Sequence, residues 1–497
     1  MMKFVGRTAE LELLDRIYTR ERVKTCMIYG RRRIGKTSLI LKFIEGKRSL
    51  FVDLVKGPET RNVRRIADKV RDVFGISANP TDLRSVLEAV KGICQQERTV
   101  IVFDELPYLI HRNQYAASEL QHFVDWIRNS TDSMVIVCGS SVKMMSDGML
   151  RRESPLYGRF AFKIDLMPIT IGEAREFHPS ASDADLLKLY LTLGGVTAYH
   201  DLVGNRDYRS AIDDYILDRS GLIGDEIIYD LQTELGSSYG NAMSVLDAIS
   251  AGQGSFGEMK GYTGLSDSSL NEIIKDLTAM RVIAKMEHLP TPAKASRYVI
   301  SDPAVSFWSA VADRYRTVTL MRTGRPYDAM SQIISSHLGK AFELYCIDFI
   351  SSNYPCTAIG QWWGAVPQRD EDGTLFRDPS GKVITEYADI DVVATIRQGN
   401  DRIDLFGECK FTGAPMGFGA LNLLMSRAES LKGGYNIHYA LFSASGFTDE
   451  LKEYAEDNGI MLFGLDELLY EADLPVLRRL RRYAYPVIQG TGSIADQ

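Results

Sequence analysis

The first 165 residues alternate short apolar runs with amphipathic stretches. Thr25–Tyr29, Leu50–Leu54, Thr99–Phe103, Met134–Cys138 and Phe160–Leu166 are apolar on nearly every position, as strands buried on both faces are. Between them, Ser38–Phe43, Arg61–Phe74 and Leu83–Gln95 repeat apolar residues at helical spacing. This order predicts an α/β parallel sheet with helices on both faces. From Ile171 to Ile223 the pattern is helical. Asn241–Ser250, Phe256–Gly261 and Ser269–Met280 then read as three helices, the third opened by a Ser269/Glu272 capping box. Val282–His288 and Arg297–Ile300 read as a hairpin after them, which is the order of a winged helix. A further α/β unit opens with a helix over Ile333–Ser351. Strands follow at Ala358–Trp363, Tyr387–Ala394, Ile403–Phe411 and Ile437–Ser443, with turn signals at Asp372–Gly373 and Ser380–Gly381.

The boundaries expected from this pattern are a sheet-based core over 1–170, a helical lid over 171–235, a winged helix over 236–308 and a connector over 309–332. A last α/β domain covers 333–488, and 489–497 form a polar tail. With 497 residues, 45% hydrophobic and 25% charged, the chain is long enough for about three globular domains. The net charge of −7 argues against binding nucleic acid by bulk charge, so such contact needs a local patch. The N-terminal stretch lacks the layout of a secretion signal, and no apolar run approaches the ~20 residues of a membrane span. The expectation is a cytoplasmic protein without membrane contact. Six scattered cysteines, none in a CxxC pair, read as buried thiols in a reducing compartment.

Two motifs carry the chemistry of the first domain. Gly30-Arg31-Arg32-Arg33-Ile34-Gly35-Lys36-Thr37, followed by Ser38, fits GxxxxGK[ST] between a strand and a helix. Backbone N–H groups of such a loop turn inward around phosphates, Lys36 reaches the β/γ oxygens, and the Thr37 hydroxyl ligates Mg²⁺. Downstream, an apolar strand ends in Asp104-Glu105. Asp104 then holds Mg²⁺ and Glu105 activates the attacking water. The bland alternative makes both acids caps of the strand end and the next helix.

The series Phe4-Val5-Gly6-Arg7-Thr8-Ala9-Glu10-Leu11, the phosphate loop, Asp104-Glu105, Gly139-Ser140-Ser141, Pro155-Leu156-Tyr157-Gly158-Arg159, Gly194-Gly195-Val196 and Tyr298–Trp308 resembles the archaeal-type ATPase family. That family is related to AAA+, origin-recognition and STAND ATPases. The resemblance implies that Val5, Gly6 and Arg7 pack beside adenine and that Ser140 or Ser141 senses the γ-phosphate. It also implies that Arg159 is an arginine finger, in cis or in trans within a homo-oligomer. The alternatives are a helix N-cap before Val142–Met149 for the serines and a structural ion pair for Arg159, with Arg151 and Arg152 as competing fingers.

The winged-helix stretch Asn241–Asp302 carries six Lys/Arg and seven Asp/Glu, so it reads either as a DNA-contacting unit or as a protein-contact module. In the last domain, Asp389-Ile390-Asp391 and Glu408-Cys409-Lys410 resemble a PD-(D/E)xK nuclease core. Strand alternation puts Asp389 with Asp391, and Glu408 with Lys410, on one face. Asp391 and Glu408, joined by Glu343, are then candidate Mg²⁺ or Mn²⁺ ligands, and Lys410 serves the water or phosphate. The leading expectation is an ATPase that couples nucleotide state to DNA processing or defence by this nuclease-like domain. The alternatives are a STAND-like assembly switch and a non-cutting nucleoprotein motor.

Overall fold

The computed structural model describes residues 3–77, 80–110, 113–141, 145, 149, 151–218, 220–290, 296–314, 326–368, 374–398, 401–429, 431 and 437–470. It divides into two compact units. The first runs through Glu173 and takes in Gly195–Leu202; the second holds Ala174–Gly194 and the chain from Val203. Among the described residues, no helix is long and apolar enough to cross a membrane.

The first unit is built on strands β1 (Thr25–Tyr29), β2 (Ser49–Asp53), β3 (Val100–Asp104), β4 (Met134–Gly139) and β5 (Phe162–Asp165). They form a parallel sheet in the order β2-β3-β4-β1-β5. Helices α1 (Thr8–Arg20), α2 (Lys36–Ile44), α3 (Glu59–Phe74), α4 (Leu83–Gln96), α5 (Pro107–Ile110) and α6 (Gln114–Ser130) connect and cover it. Two cores result. Leu13, Leu14, Ile17, Leu39, Ile40 and Phe43 pack on one face of the sheet. Val63, Ile66, Val70, Leu87, Phe123 and Val124 pack in the core of the other. Burial on both faces is why β1, β3 and β4 read as unbroken apolar runs, whereas the edge strands β2 and β5 are only partly buried. Because β1 and β3 flank β4, the turns after all three strands open at one edge of the sheet, where ligands of open α/β sheets bind.

The second unit begins with helices, among them Asp183–Leu193 and Leu222–Leu235. The expected lid is therefore not one block: Gly195–Leu202 groups with the first unit. The winged-helix order follows as helices Tyr239–Ser250, Phe256–Thr263 and Asp267–Ala279 and the antiparallel pair β6 (Ile283–Met286) and β7 (Arg297–Ile300). The third helix starts one turn earlier than its expected capping box. Ser266 caps it by accepting from the Ser269 N–H, while the real capping box joins Ser255 and Glu258 on the second helix. The chain after β6 then runs beside the later sheet. Leu289 N–H donates to Gln361 O, and Gln361 N–H to Glu287 O, at 2.9 and 3.0 Å. A side chain on Gly360 would strike the Glu287 carbonyl, so this close approach needs glycine there.

The last helix-and-sheet segment opens with a helix over Pro326–Asn353, which begins inside the expected connector. Strands β8 (Cys356–Pro367), β9 (Thr385–Gln398) and β10 (Asp401–Lys410) form an antiparallel meander. After the helix Phe418–Glu429, β11 (Ile437–Ser443) adds parallel to β10, and β12 (Met461–Phe463) closes the sheet. The order is helix, three strands, helix, strand. Of the other sequence expectations, the Asp372–Gly373 turn, most of the Val142–Met149 helix and the 489–497 tail lie outside the described residues.

Candidate functional site

The loop after β1 turns on three residues with positive φ: Gly30 at 151°, Arg33 at 64° and Gly35 at 94°. A side chain on Gly30 would clash with the Leu166 carbonyl, so only glycine lets the loop leave the strand here. The loop is braced from behind. Arg7, itself buried, donates to Ile34 O at 2.8 Å and to Met167 O at 2.7 Å. Thr197 Oγ1 donates to Arg33 O at 2.9 Å, and the Ala198 N–H donates to the same carbonyl at 3.2 Å. The structure thus places Arg7 as a clamp on the loop. Val5 is buried nearby in sequence.

Helix α2 begins at Lys36, so its free N–H groups and positive dipole end face the loop. The Lys36 ammonium is buried and donates to Gly30 O at 2.9 Å and Arg31 O at 2.6 Å. Burial pulls its pKa below the usual lysine value, a shift opposed by the Glu105 and Asp104 carboxylates and reinforced by Arg32. Thr37 Oγ1 donates to Asp104 Oδ2 at 2.8 Å. Hydroxyl and carboxylate oxygens so close are a hard donor set of the kind Mg²⁺ takes in nucleotide sites. Glu105 sits at φ 54°, and its N–H donates to Asp104 Oδ1 at 3.0 Å. Its carboxylate accepts from the Ser140 N–H at 3.2 Å. Loop, two acids and Ser140 therefore meet at the ends of β1, β3 and β4.

Arg159 is not there. Its carbonyl accepts from Thr25 Oγ1 at 2.9 Å, and Thr25 is the first residue of β1. The phosphate loop leaves the other end of that strand, roughly 16 Å away at strand rise. The Arg159 guanidinium is held by Asp125 of α6 at 3.0 Å. A finger acting in cis is incompatible with this position, which is that of a structural ion pair.

A second cluster lies where β9 and β10 part. Their pairing stops at Val392 opposite Gly407, and the Cys409 N–H turns to Asp391 Oδ2 at 2.8 Å. Asp391 and Glu408 are buried. Burial, with the charges of neighbouring acids, pushes Asp391 up to about 7 and Glu343, on the helix Pro326–Asn353, up to about 8. Lys410 Nζ donates to Glu408 Oε1 at 2.6 Å. Arg427, on the helix Phe418–Glu429, donates to Asp389 O at 2.8 Å and lies 3.5 Å from Glu408 Oε2. Sequence reading missed Arg427, since nothing local ties it to acids far upstream. Hard carboxylates crowded against their own repulsion suit a divalent cation. As they stand, however, no three His, Cys, Asp or Glu side chains among the described residues are arranged to hold a metal ion.

The parallel sheet, the loop and the paired acids define a P-loop nucleotide-binding domain. Residues 4–199 match a family of ATPase domains predominantly from Archaea, and this part of the chain is a member of it. It is similar to an uncharacterized protein of Methanocaldococcus jannaschii, 27% identical over 372 residues, covering 72% of this chain and 82% of that protein. An uncharacterized ATP-binding protein of the same organism is 46% identical over 48 residues, 10% of this chain and 81% of that one. Among solved structures, a Walker-type ATPase of Pyrococcus abyssi superposes with a TM-score of 0.50 at 18% identity, covering 62% of this chain and 96% of that one. At that identity the likeness speaks to the fold.

Proposed function

We propose that the chain hydrolyses ATP in its first unit and couples nucleotide state to metal-dependent DNA cleavage by its C-terminal sheet. The observation that carries the first half is the 2.8 Å bond between Thr37 and Asp104, with Glu105 next in the chain. Lys36 and the loop N–H groups bind the phosphates. Thr37 and Asp104 would hold Mg²⁺, which supplies charge neutralisation at the β/γ oxygens. Glu105 takes the proton of the attacking water, and Ser140 orients Glu105 through its N–H.

The second half rests on the fork of β9 and β10. Asp391, Glu408 and Glu343 are the residues that would hold Mg²⁺ or Mn²⁺, and Lys410 serves the scissile phosphate. Helix–three strands–helix–strand order, with Asp391 and Glu408 on the neighbouring inner strands β9 and β10 and Glu343 on the preceding helix, supports this reading. The turn after β6 is engaged with β8, so DNA contact by the winged helix falls to the helix Asp267–Ala279. That helix exposes Asn271 and Lys275 but also Glu272.

One observation favours a second reading, in which the C-terminal domain binds without cutting. Lys410 and Arg427 already engage Glu408. Labelled single- and double-stranded DNA incubated with the full chain, with and without Mn²⁺ and ATP, separates the two. Metal-dependent cutting lost in Glu408→Ala supports the nuclease. DNA-stimulated ATP turnover without cutting supports a motor, and ATP-driven assembly without either supports a STAND-like switch.

A further inference from the structure

We propose that Arg32 is a catalytic residue of ATP hydrolysis, contacting the γ-phosphate within its own chain, and that Tyr108 positions it. This rests on reading the first unit as an ATP hydrolase. Hydrolysis builds negative charge on the transferred phosphoryl group and the β/γ bridge, and a guanidinium matches that charge with paired donors. The arginine that the family resemblance suggests, Arg159, is at the wrong end of β1 for this task and is engaged by Asp125. The loop itself brings three arginines to the right end.

Arg32 reaches the turn that follows the acids. Its Nη2 donates to the Tyr108 hydroxyl at 3.0 Å. Tyr108 lies on α5, directly after the paired acids, and its N–H donates to Glu105 O at 3.1 Å. The guanidinium is thus tethered to the same turn that carries Glu105. It bridges the phosphate loop and the turn that carries Glu105, the two elements between which the γ-phosphate lies in a P-loop site. Its charge also reaches the Lys36 ammonium. Arg33, by contrast, is exposed, and its carbonyl is pinned by Thr197 and Ala198. Arg31 lends its carbonyl to Lys36.

The test is steady-state ATP hydrolysis and nucleotide binding by the full chain, wild type beside Arg32→Ala, Arg32→Lys, Tyr108→Phe and Glu105→Gln. Arg32→Ala should lower kcat by about 100-fold or more, within the range of arginine fingers, while nucleotide affinity changes by less than about tenfold. Arg32→Lys should recover part of the rate. Tyr108→Phe should lower kcat by about tenfold with KM unchanged, since it removes only the tether. Wild-type kcat should not depend on protein concentration. Arg32→Ala turning over at the wild-type kcat, in a chain that Glu105→Gln inactivates, overturns the role of Arg32 and leaves the hydrolase reading standing. A wild-type chain that binds ATP without turnover overturns both.

Discussion

Thr37 and Asp104, 67 residues apart in the chain, share a hydrogen bond of 2.8 Å between the hydroxyl and one carboxylate oxygen. Two strands meet there through a third. The phosphate loop leaves β1, Asp104 ends β3, and β4 between them delivers Ser140 to the Glu105 carboxylate. Each contact depends on the sheet order, so the site is assembled by the fold rather than by either motif alone.

Lys36→Ala should abolish measurable ATP binding, because it removes the buried ammonium held within the phosphate loop. Thr37→Ala should bind nucleotide but lose most of its Mg²⁺ dependence. Both are read by nucleotide titration with and without Mg²⁺. A Lys36→Ala chain with wild-type affinity would remove the lysine from the site.

Arg159→Ala should leave turnover unchanged in a monomer and cost about 1 kcal/mol of stability through the lost Asp125 pair, seen as a small drop in Tm. If the chain assembles and Arg159 acts on a neighbour, turnover instead falls and rises again on mixing with Lys36→Ala protein. Loss of turnover at all concentrations without rescue would contradict both the ion-pair position and a trans role.

Without nucleotide, Mn²⁺ should raise the Tm of the full chain, by the equivalent of about 2.7 kcal/mol at a hundredfold excess over Kd. Asp391→Asn should remove most of that gain. It should also raise the metal-free Tm near neutral pH. A carboxyl held up to about 7 is ionised there at a cost to the folded state, and the substitution relieves that cost. A metal-free Tm that drops, with the Mn²⁺ gain intact, would take Asp391 out of the cluster.

His337 gives an acid-side prediction. It is buried on the helix Pro326–Asn353, edge-on to Phe307 at 5.4 Å, and its Nε2 has no partner among the described residues. Burial, with Lys340, pulls its pKa down to about 4. Above the ordinary value near 6.5 the folded and unfolded chains both hold it neutral. As pH falls from there toward 4, only the unfolded chain takes up the proton, so stability is lost, by up to about 3 kcal/mol. His337→Leu should flatten this acid limb in denaturant unfolding. An unchanged limb would contradict the depressed value.

The alternation of strands and helices was legible because buried parallel strands carry unbroken apolar runs, and β7 and β11 have the bounds their sequence suggests. The phosphate loop was legible because its chemistry is local. Arg159 was not read for its place, although a residue just before the strand Phe160–Leu166 of a parallel sheet lies at the edge opposite the phosphate loop. The third helix of the winged unit begins at Asp267 because Ser266, one turn before Ser269, offers the same capping chemistry. Arg427 and the docking of Leu289 on Gln361 are long-range contacts with no periodic trace.

The most direct test of the account is ATP turnover by Glu105→Gln beside its ATP affinity. The swap keeps size and hydrogen bonding and removes only the base. Wild-type binding and a kcat lower by about 100-fold or more are expected. Turnover at the wild-type rate would contradict the account.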